Sequence, residues 1–299
     1  MSVNWWEIVV NCNPQLEETV YWRLDNFGCS GTAVEIKDGL CIIKAYIAQI
    51  KVESDAIVAL ADLLKQDAVS LNLDNQLEVS WSTVEEQDWA NSWKQYWHPT
   101  PIGLELIVYP AWLTPSQDTN EIILRLDPGS AFGTGTHPTT QLCLESLTAL
   151  LLDHPENMVI ADIGCGSGIL SIGSLLLGAG KVYAVDTDIL AVNATKSNAE
   201  LNLIAPDSLY VAQGSAADLV KMLPQGVDGI VCNILAEVLI DLMGELSQLS
   251  KPKSWAVLSG LLINQAEQVS QSAKENGYLV TAIAQKEPWC CLELYRVAN

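Results

Sequence analysis

The densest run of chemically capable residues is Ala161-Asp162-Ile163-Gly164-Cys165-Gly166-Ser167-Gly168-Ile169-Leu170. An apolar strand that ends in a D-x-G-x-G-x-G turn and opens a helix lets a ligand approach bare backbone, because glycine carries no Cβ and tolerates left-handed φ. Asp186 follows 22 residues after Gly164, at the tip of the next apolar run, and offers a carboxylate to a ribose diol. A purely structural turn would need the glycines but not the acid, so the pair points to a nucleoside-type cofactor. Dinucleotide enzymes use G-x-G-x-x-G to seat a pyrophosphate on the helix N-terminus, and the G-x-G-x-G spacing here predicts no pyrophosphate.

Two further segments carry candidate chemistry. Leu126-Asp127-Pro128-Gly129-Ser130-Ala131-Phe132-Gly133-Thr134-Gly135-Thr136-His137-Pro138-Thr139-Thr140 is a hydroxyl-rich loop that enters a helix at Pro138. It lacks the lysine of a phosphate-binding loop, which leaves two readings open: a cofactor cover built from hydroxyls and backbone amides, or a structural lead into the helix. Val227-Asp228-Gly229-Ile230-Val231-Cys232-Asn233-Ile234-Leu235-Ala236 places the amide of Asn233 at the C-terminal end of a strand, level with the glycine turn and Asp186. Such an amide either caps the next helix or orients an amine, and its level in the sheet favours the ligand role.

These residues need a sheet to hold them. Apolar runs near 158–162, 181–186, 208–212, 227–232 and 254–259 alternate with helical stretches, the pattern of a doubly wound parallel sheet of Rossmann-like α/β class. Tyr278 to Gln285 and Cys290 to Val297 are joined by only Lys286-Glu287-Pro288-Trp289, which predicts a hairpin and one closing antiparallel strand. Residues 1–85 read as two strand-helix-strand rounds: Trp5 to Asn11, Pro14 to Phe27 and Gly31 to Ile36, then Cys41 to Ile47, Ser54 to Lys65 capped by Ser54 or Asp55, and Gln76 to Trp81. The order βαββαβ predicts a small ferredoxin-like α+β domain. Trp89, Trp93 and Trp97 share one face of a helix stopped by Pro99, so 86–110 reads as a linker helix and connection, with 111–299 as the catalytic domain.

Composition narrows the function classes. At 299 residues, with 49% hydrophobic and 17% charged, the chain has enough apolar surface for a large domain and a smaller companion. The formal net charge of −21 and 15 scattered Lys and Arg residues leave no basic stripe for phosphates, so no direct sequence-specific nucleic-acid binding is expected. An acidic surface attracts cationic partners, although it also serves solubility alone. No apolar run of membrane-spanning length and no leader pattern is visible, which predicts a cytoplasmic protein with no membrane contact. Eight cysteines without a C-x-x-C pair, and three histidines, predict no metal site; the cysteines read as small buried hydrophobes.

D-x-G-x-G-x-G followed by an acid after the second strand resembles the class I methyltransferases, whose cofactor S-adenosyl-L-methionine presents an amino acid and a ribose to this turn. With DWANSWKQYWHP before the three motifs and LSGLLINQ after them, residues 86 to 299 resemble the bacterial PrmA family, the methyltransferases of ribosomal protein L11 of the large subunit. The resemblance implies that the N-terminal domain is a substrate-recognition domain, which holds the ribosomal protein. The catalytic domain then methylates its lysine side chains and N-terminal amine. It implies cofactor contacts at Thr140, Gly164, Asp186 and Asn233, with Asp162, Gly166, Gly168 and the Phe132 to Thr136 loop as further contributors, and a structural His137. Asn233 is the expected catalytic residue, accepting hydrogen bonds from the amine together with the carbonyls of Ile234 or Leu235. Base and glutamine methyltransferases carry two prolines and an aromatic after this position; Ile234, Leu235 and Ala236 stand there instead. Another protein or a nucleic acid as substrate, or a non-catalytic ribosome factor that binds the cofactor, remain the alternatives.

Overall fold

A computed structural model describes residues 4–37, 39–71, 73, 77–85, 97–115, 121–127, 135–152, 157–286 and 288–297. Trp89 and Trp93 of the expected linker helix, and 128–134 of the hydroxyl-rich loop, lie outside them. The chain divides into two compact units, Met1–Trp97 and His98–Asn299. No helix among the described residues is long and apolar enough to cross a membrane.

The first unit runs β1 (Asn4–Cys12), α1 (Glu17–Asn26), β2 (Ser30–Lys37), β3 (Leu40–Ala48), α2 (Ser54–Ser70) and β4 (Glu78–Glu85). Its antiparallel sheet has the order β2-β3-β1-β4, so each helix crosses over one intervening strand, which is the split βαβ connectivity. Period-two alternation sends Ile8, Val10, Ile43 and Ile47 to one face, where Leu16, Val20 and Leu24 near α1 and Ile57, Leu60 and Leu64 of α2 complete the core. Arg23 on α1 forks onto Asp67 on α2 at 2.7 and 2.9 Å. Helix α2 departs from the sequence expectation at both ends. The residue before it is Glu53, with no side-chain cap, and the helix continues past Lys65 because Leu64 and Ala68 keep its buried stripe going.

The second unit opens with a three-stranded sheet, β5 (Thr100–Ile102), β6 (Leu106–Pro110) and β7 (Ile122–Leu126), in that order. Two of these strands fall in the 86–110 span that reads as helix and connection. They are short, and Pro101 and Pro110 break the strand signal.

The main sheet follows: α3 (Pro138–Leu151), β8 (Val159–Ile163), α4 (Ile169–Leu176), β9 (Lys181–Asp186), α5 (Ile189–Leu201), β10 (Leu209–Gln213), α6 (Ala216–Met222), β11 (Val227–Asn233), α7 (Ala236–Leu249), β12 (Ser250–Leu262), α8 (Ala266–Glu275), β13 (Tyr278–Lys286) and β14 (Trp289–Arg296). The strand order is β10-β9-β8-β11-β12-β14-β13, parallel except for β14. Ile160, Ala161, Val182, Ala184, Ile230, Val231 and Val257 are buried in consecutive or near-consecutive positions, as expected of strands covered on both faces. The antiparallel strand is not the edge. The crossover through α8 sets β13 two strand positions beyond β12, and the tight turn at Pro288 returns β14 into the gap. Direction in the order reverses at β8, so β9 and β10 lie on one side and β11 and β12 on the other. That switch point opens a crevice at the carboxyl ends of the strands.

Candidate functional site

The glycine turn occupies this crevice. Gly164 leaves β8 at φ +76°, and an added Cβ would stand 2.6 Å from Cγ2 of Ile234 on the β11 side. Gly168 opens α4 at φ +82°, and its Cβ would stand 2.7 Å from Cγ2 of Thr195 on α5. Both positions therefore exclude a side chain by backbone angle and by space. The amides of Gly164 and Cys165 donate to the carbonyl of Val185 at 2.9 and 3.1 Å, pinning the turn to the end of β9. The acid at that end completes the anchor. Asp186 Oδ2 accepts the Gly166 amide at 2.9 Å and Oδ1 accepts the Asp188 amide at 2.9 Å. Each oxygen keeps a further lone pair for a hydroxyl donor.

Across the crevice, α3 presents Thr140 from its first turn. The helix starts as its residues dictate: Pro138 takes a position where no amide hydrogen is needed, and His137 Nδ1 accepts the Thr139 amide at 3.3 Å and lies 2.7 Å from Thr139 Oγ1. Burial lowers the His137 pKa, which keeps the ring in the neutral form that a capping acceptor requires. Its edge meets the ring of Trp289 with centroids 4.8 Å apart, so the final hairpin braces this helix start. Lys286 adds a second tie, donating to Gln141 Oε1 at 2.8 Å and Glu145 Oε1 at 2.9 Å.

Asn233 ends β11 and does not cap α7, whose N-cap position is Leu235. Its Nδ2 lies 3.3 Å from Thr140 Oγ1, a long hydrogen bond, and its Oδ1 is buried with no partner among the described residues. An unpaired buried amide oxygen is costly unless something arrives to bond it. The pocket between these groups is walled by Thr140, Gly164, Gly166 and Asn233, with Ile169 and Leu170 as apolar lining. Cys165 also borders it, but burial raises its thiol pKa, so it is no thiolate nucleophile.

The motif residues thus separate into two groups. Thr140, Gly164, Gly166 and Asn233 meet at the pocket wall, with Asp186 one hydrogen bond behind Gly166. Asp162 and Gly168 stand behind the turn. Asp162 is fully buried inside β8, where Ser171 Oγ donates to Oδ2 at 2.5 Å and Oδ1 has no partner among the described residues. Burial, opposed by the Ser171 hydrogen bonds and aided by the charge of Asp186, pushes its pKa up to about 7. A carboxyl whose folded pKa is raised gives stability that is complete below its unfolded pKa and lost as pH rises through the folded one. Asp162→Asn is therefore expected to melt several degrees above the native protein near pH 8 and to converge with it near pH 4. Thermal melts across that range check this; a gap that widens toward low pH would contradict it.

Motif reading missed Thr195, Asn198 and Asn202. Thr195 and Asn198 bond the backbone of the turn and Asn202 that of Arg125; their signal was a polar stripe at helical spacing along α5 and its C-terminal end.

With this geometry in view, comparison with known proteins is specific. The family described as "Ribosomal protein L11 methyltransferase (PrmA)" matches residues 4–296. The ribosomal protein L11 methyltransferase of Thermosynechococcus vestitus is 48% identical over 98% of this chain and 97% of its own, and that of a Cyanothece species is 45% identical over 99% and 100%. The crystal structure of a ribosomal protein L11 methylase from Lactobacillus delbrueckii subsp. bulgaricus is 30% identical, with a TM-score of 0.60 over 68% of this chain and 100% of that one. The match extends through the first 85 residues, where motifs alone carried only general organisation, and the chain belongs to the ribosomal protein L11 methyltransferase (PrmA) family.

Proposed function

We propose that this protein transfers methyl groups from S-adenosylmethionine to amines of ribosomal protein L11, its lysine side chains and N-terminus, in the cytoplasm. In this reading residues 1–85 hold the ribosomal protein and 111–299 perform the transfer. The observation that carries it is the buried Oδ1 of Asn233, unpaired among the described residues, beside Thr140 and the glycine turn. The formal charge of −21 complements a lysine-rich substrate.

The residues present fit the cofactor. Positive-φ glycines leave a cradle of bare backbone, Asp186 retains lone pairs for a ribose diol, and the pocket has among the described residues no cationic clamp of the kind a pyrophosphate needs. Bound there, S-adenosylmethionine supplies a methyl group on a sulfonium, ready for in-line displacement. The chain's own task is alignment of a neutral amine. A free lysine has a pKa of about 10.4, which leaves on the order of one in a thousand neutral at cytoplasmic pH. Desolvation against Ile169 and Leu170 favours the neutral form. Asn233 Oδ1 then accepts an N–H of that amine, and the amine's lone pair is left facing the methyl group.

The test is intact-mass and peptide mass spectrometry of recombinant ribosomal protein L11 after incubation with this enzyme and S-adenosylmethionine. Additions in whole methyl steps on lysines or the N-terminus are expected. Donor binding with an unchanged L11 mass would overturn the substrate assignment.

A further inference from the structure

Three polar side chains of α5 and its C-terminal end bind the backbone of two other elements at once. Asn202 Oδ1 accepts the Arg125 amide at 2.8 Å, and its Nδ2 donates to the Arg125 carbonyl at 2.6 Å and the Asn198 carbonyl at 2.8 Å. Asn198 repeats the pattern two residues further on, at Asp127 just past the end of β7, and one helical turn back. Its Oδ1 accepts the Asp127 amide at 2.9 Å, and its Nδ2 donates to the Asp127 carbonyl at 3.0 Å and to the Ser167 carbonyl at 2.9 Å. Thr195 Oγ1, one turn further back, donates to the Gly166 carbonyl at 3.0 Å.

The spacing explains the pattern. Residues 195, 198 and 202 share one helix face, and alternate residues of a strand turn their amide and carbonyl to the same side. Strand β7 bonds β6 on one side, so Arg125 and Asp127 turn theirs toward α5, where two asparagine amides stand in for a missing strand. Neither amide can be flipped, since each nitrogen faces two carbonyls. Asn198 differs from Asn202 in one respect: its second donor hydrogen reaches the glycine turn.

We propose that Asn198, with Thr195, is a positioning residue for the donor site, fixing the peptide planes after Gly166 and Ser167 so that the turn is shaped before the donor arrives; this rests on the donor-site reading above. Asn202 performs the same strand-pairing task without touching the turn, which makes it the control. Asn198→Asp keeps the acceptor for Asp127 but sets a carboxylate against the Asp127 and Ser167 carbonyls. Asn202→Asp keeps the acceptor for the Arg125 amide and sets a carboxylate against the Arg125 and Asn198 carbonyls, neither of which belongs to the turn.

Titration calorimetry with S-adenosylhomocysteine, thermal melts and methyl-transfer kinetics on the full-length protein separate the two roles. Both variants are expected to lower Tm by similar amounts. Asn198→Asp is expected to raise the S-adenosylhomocysteine Kd and the donor KM about tenfold or more, with kcat within about twofold. Asn202→Asp is expected to leave Kd within about twofold. Should Asn198→Asp not fold, Thr195→Val removes the bonds to the Gly166 carbonyl and to Cys165 Sγ, both within the turn, and is expected to raise Kd about threefold to tenfold. An unchanged Kd in Asn198→Asp, or in Thr195→Val where that variant decides, overturns the proposal. So does an equal rise in Asn202→Asp. Absence of binding by the native protein would instead overturn the donor-site reading.

Discussion

Asn233→Ala is expected to lower kcat for methyl transfer about 100-fold to 1,000-fold while the Kd for S-adenosylhomocysteine rises no more than about tenfold. The two numbers separate because Asn233 has two atoms with different partners. Its Nδ2 side borders the pocket through Thr140, and in the proposed pose the other cofactor contacts fall along the glycine turn and Asp186. Its Oδ1 is a buried acceptor without a partner among the described residues, and an amine held there loses the freedom that makes an unaligned encounter unproductive. Asn233→Asp retains an acceptor oxygen and is expected to keep more activity than the alanine variant. Single-turnover rates at saturating donor give the comparison. Full turnover in Asn233→Ala with unchanged donor affinity would remove Asn233 from the catalytic step.

Asp186→Ala is expected to act on the other term, raising the donor Kd about 100-fold and leaving kcat at saturating donor within a few-fold. Two losses combine here. A charged acceptor for the ribose hydroxyls disappears, worth about 1.5–3 kcal/mol for hydrogen bonds to charged groups. The Gly166 amide also loses its 2.9 Å partner, which loosens the turn that shapes the rest of the site. Asp186→Asn keeps a neutral acceptor and is expected to fall between alanine and the native residue. A kcat loss with unchanged Kd would place Asp186 in the transfer step and contradict its assignment to the donor.

How much of this could be read beforehand follows from how local each signal is. Gly164 and Gly168 are local: positive φ and a close neighbour each forbid a side chain, so the requirement is written at the position itself. Asp186 and Asn233 are nearly as local, since each is the polar residue that ends an apolar strand. Asp162 belongs to the same motif but sits inside β8, two residues before the turn; cover on both faces of the strand buries it, and Ser171 on α4 is its partner. Sheet β5-β6-β7 was not legible as strands, because its edge is completed by Asn198 and Asn202, more than seventy residues downstream. On a helix such asparagines read as solvent-facing, and only the tertiary structure reveals that a strand edge lies over them. The position of β14 between β12 and β13 has the same character. The hairpin is legible from its short connection, but which strand takes the edge depends on where the α8 crossover lands.

In the proposed pose the donor lies across the glycine turn with its ribose at Asp186 and its reacting end between Thr140 and Asn233. A crystal structure of the full chain with S-adenosylhomocysteine tests it most directly. Both ribose hydroxyls are expected within hydrogen-bond distance of Asp186, the amino-acid end against Gly164 and Thr140, and the sulfur facing the Asn233 side of the pocket. Density for the product anywhere else, or a ribose turned away from Asp186, would contradict it.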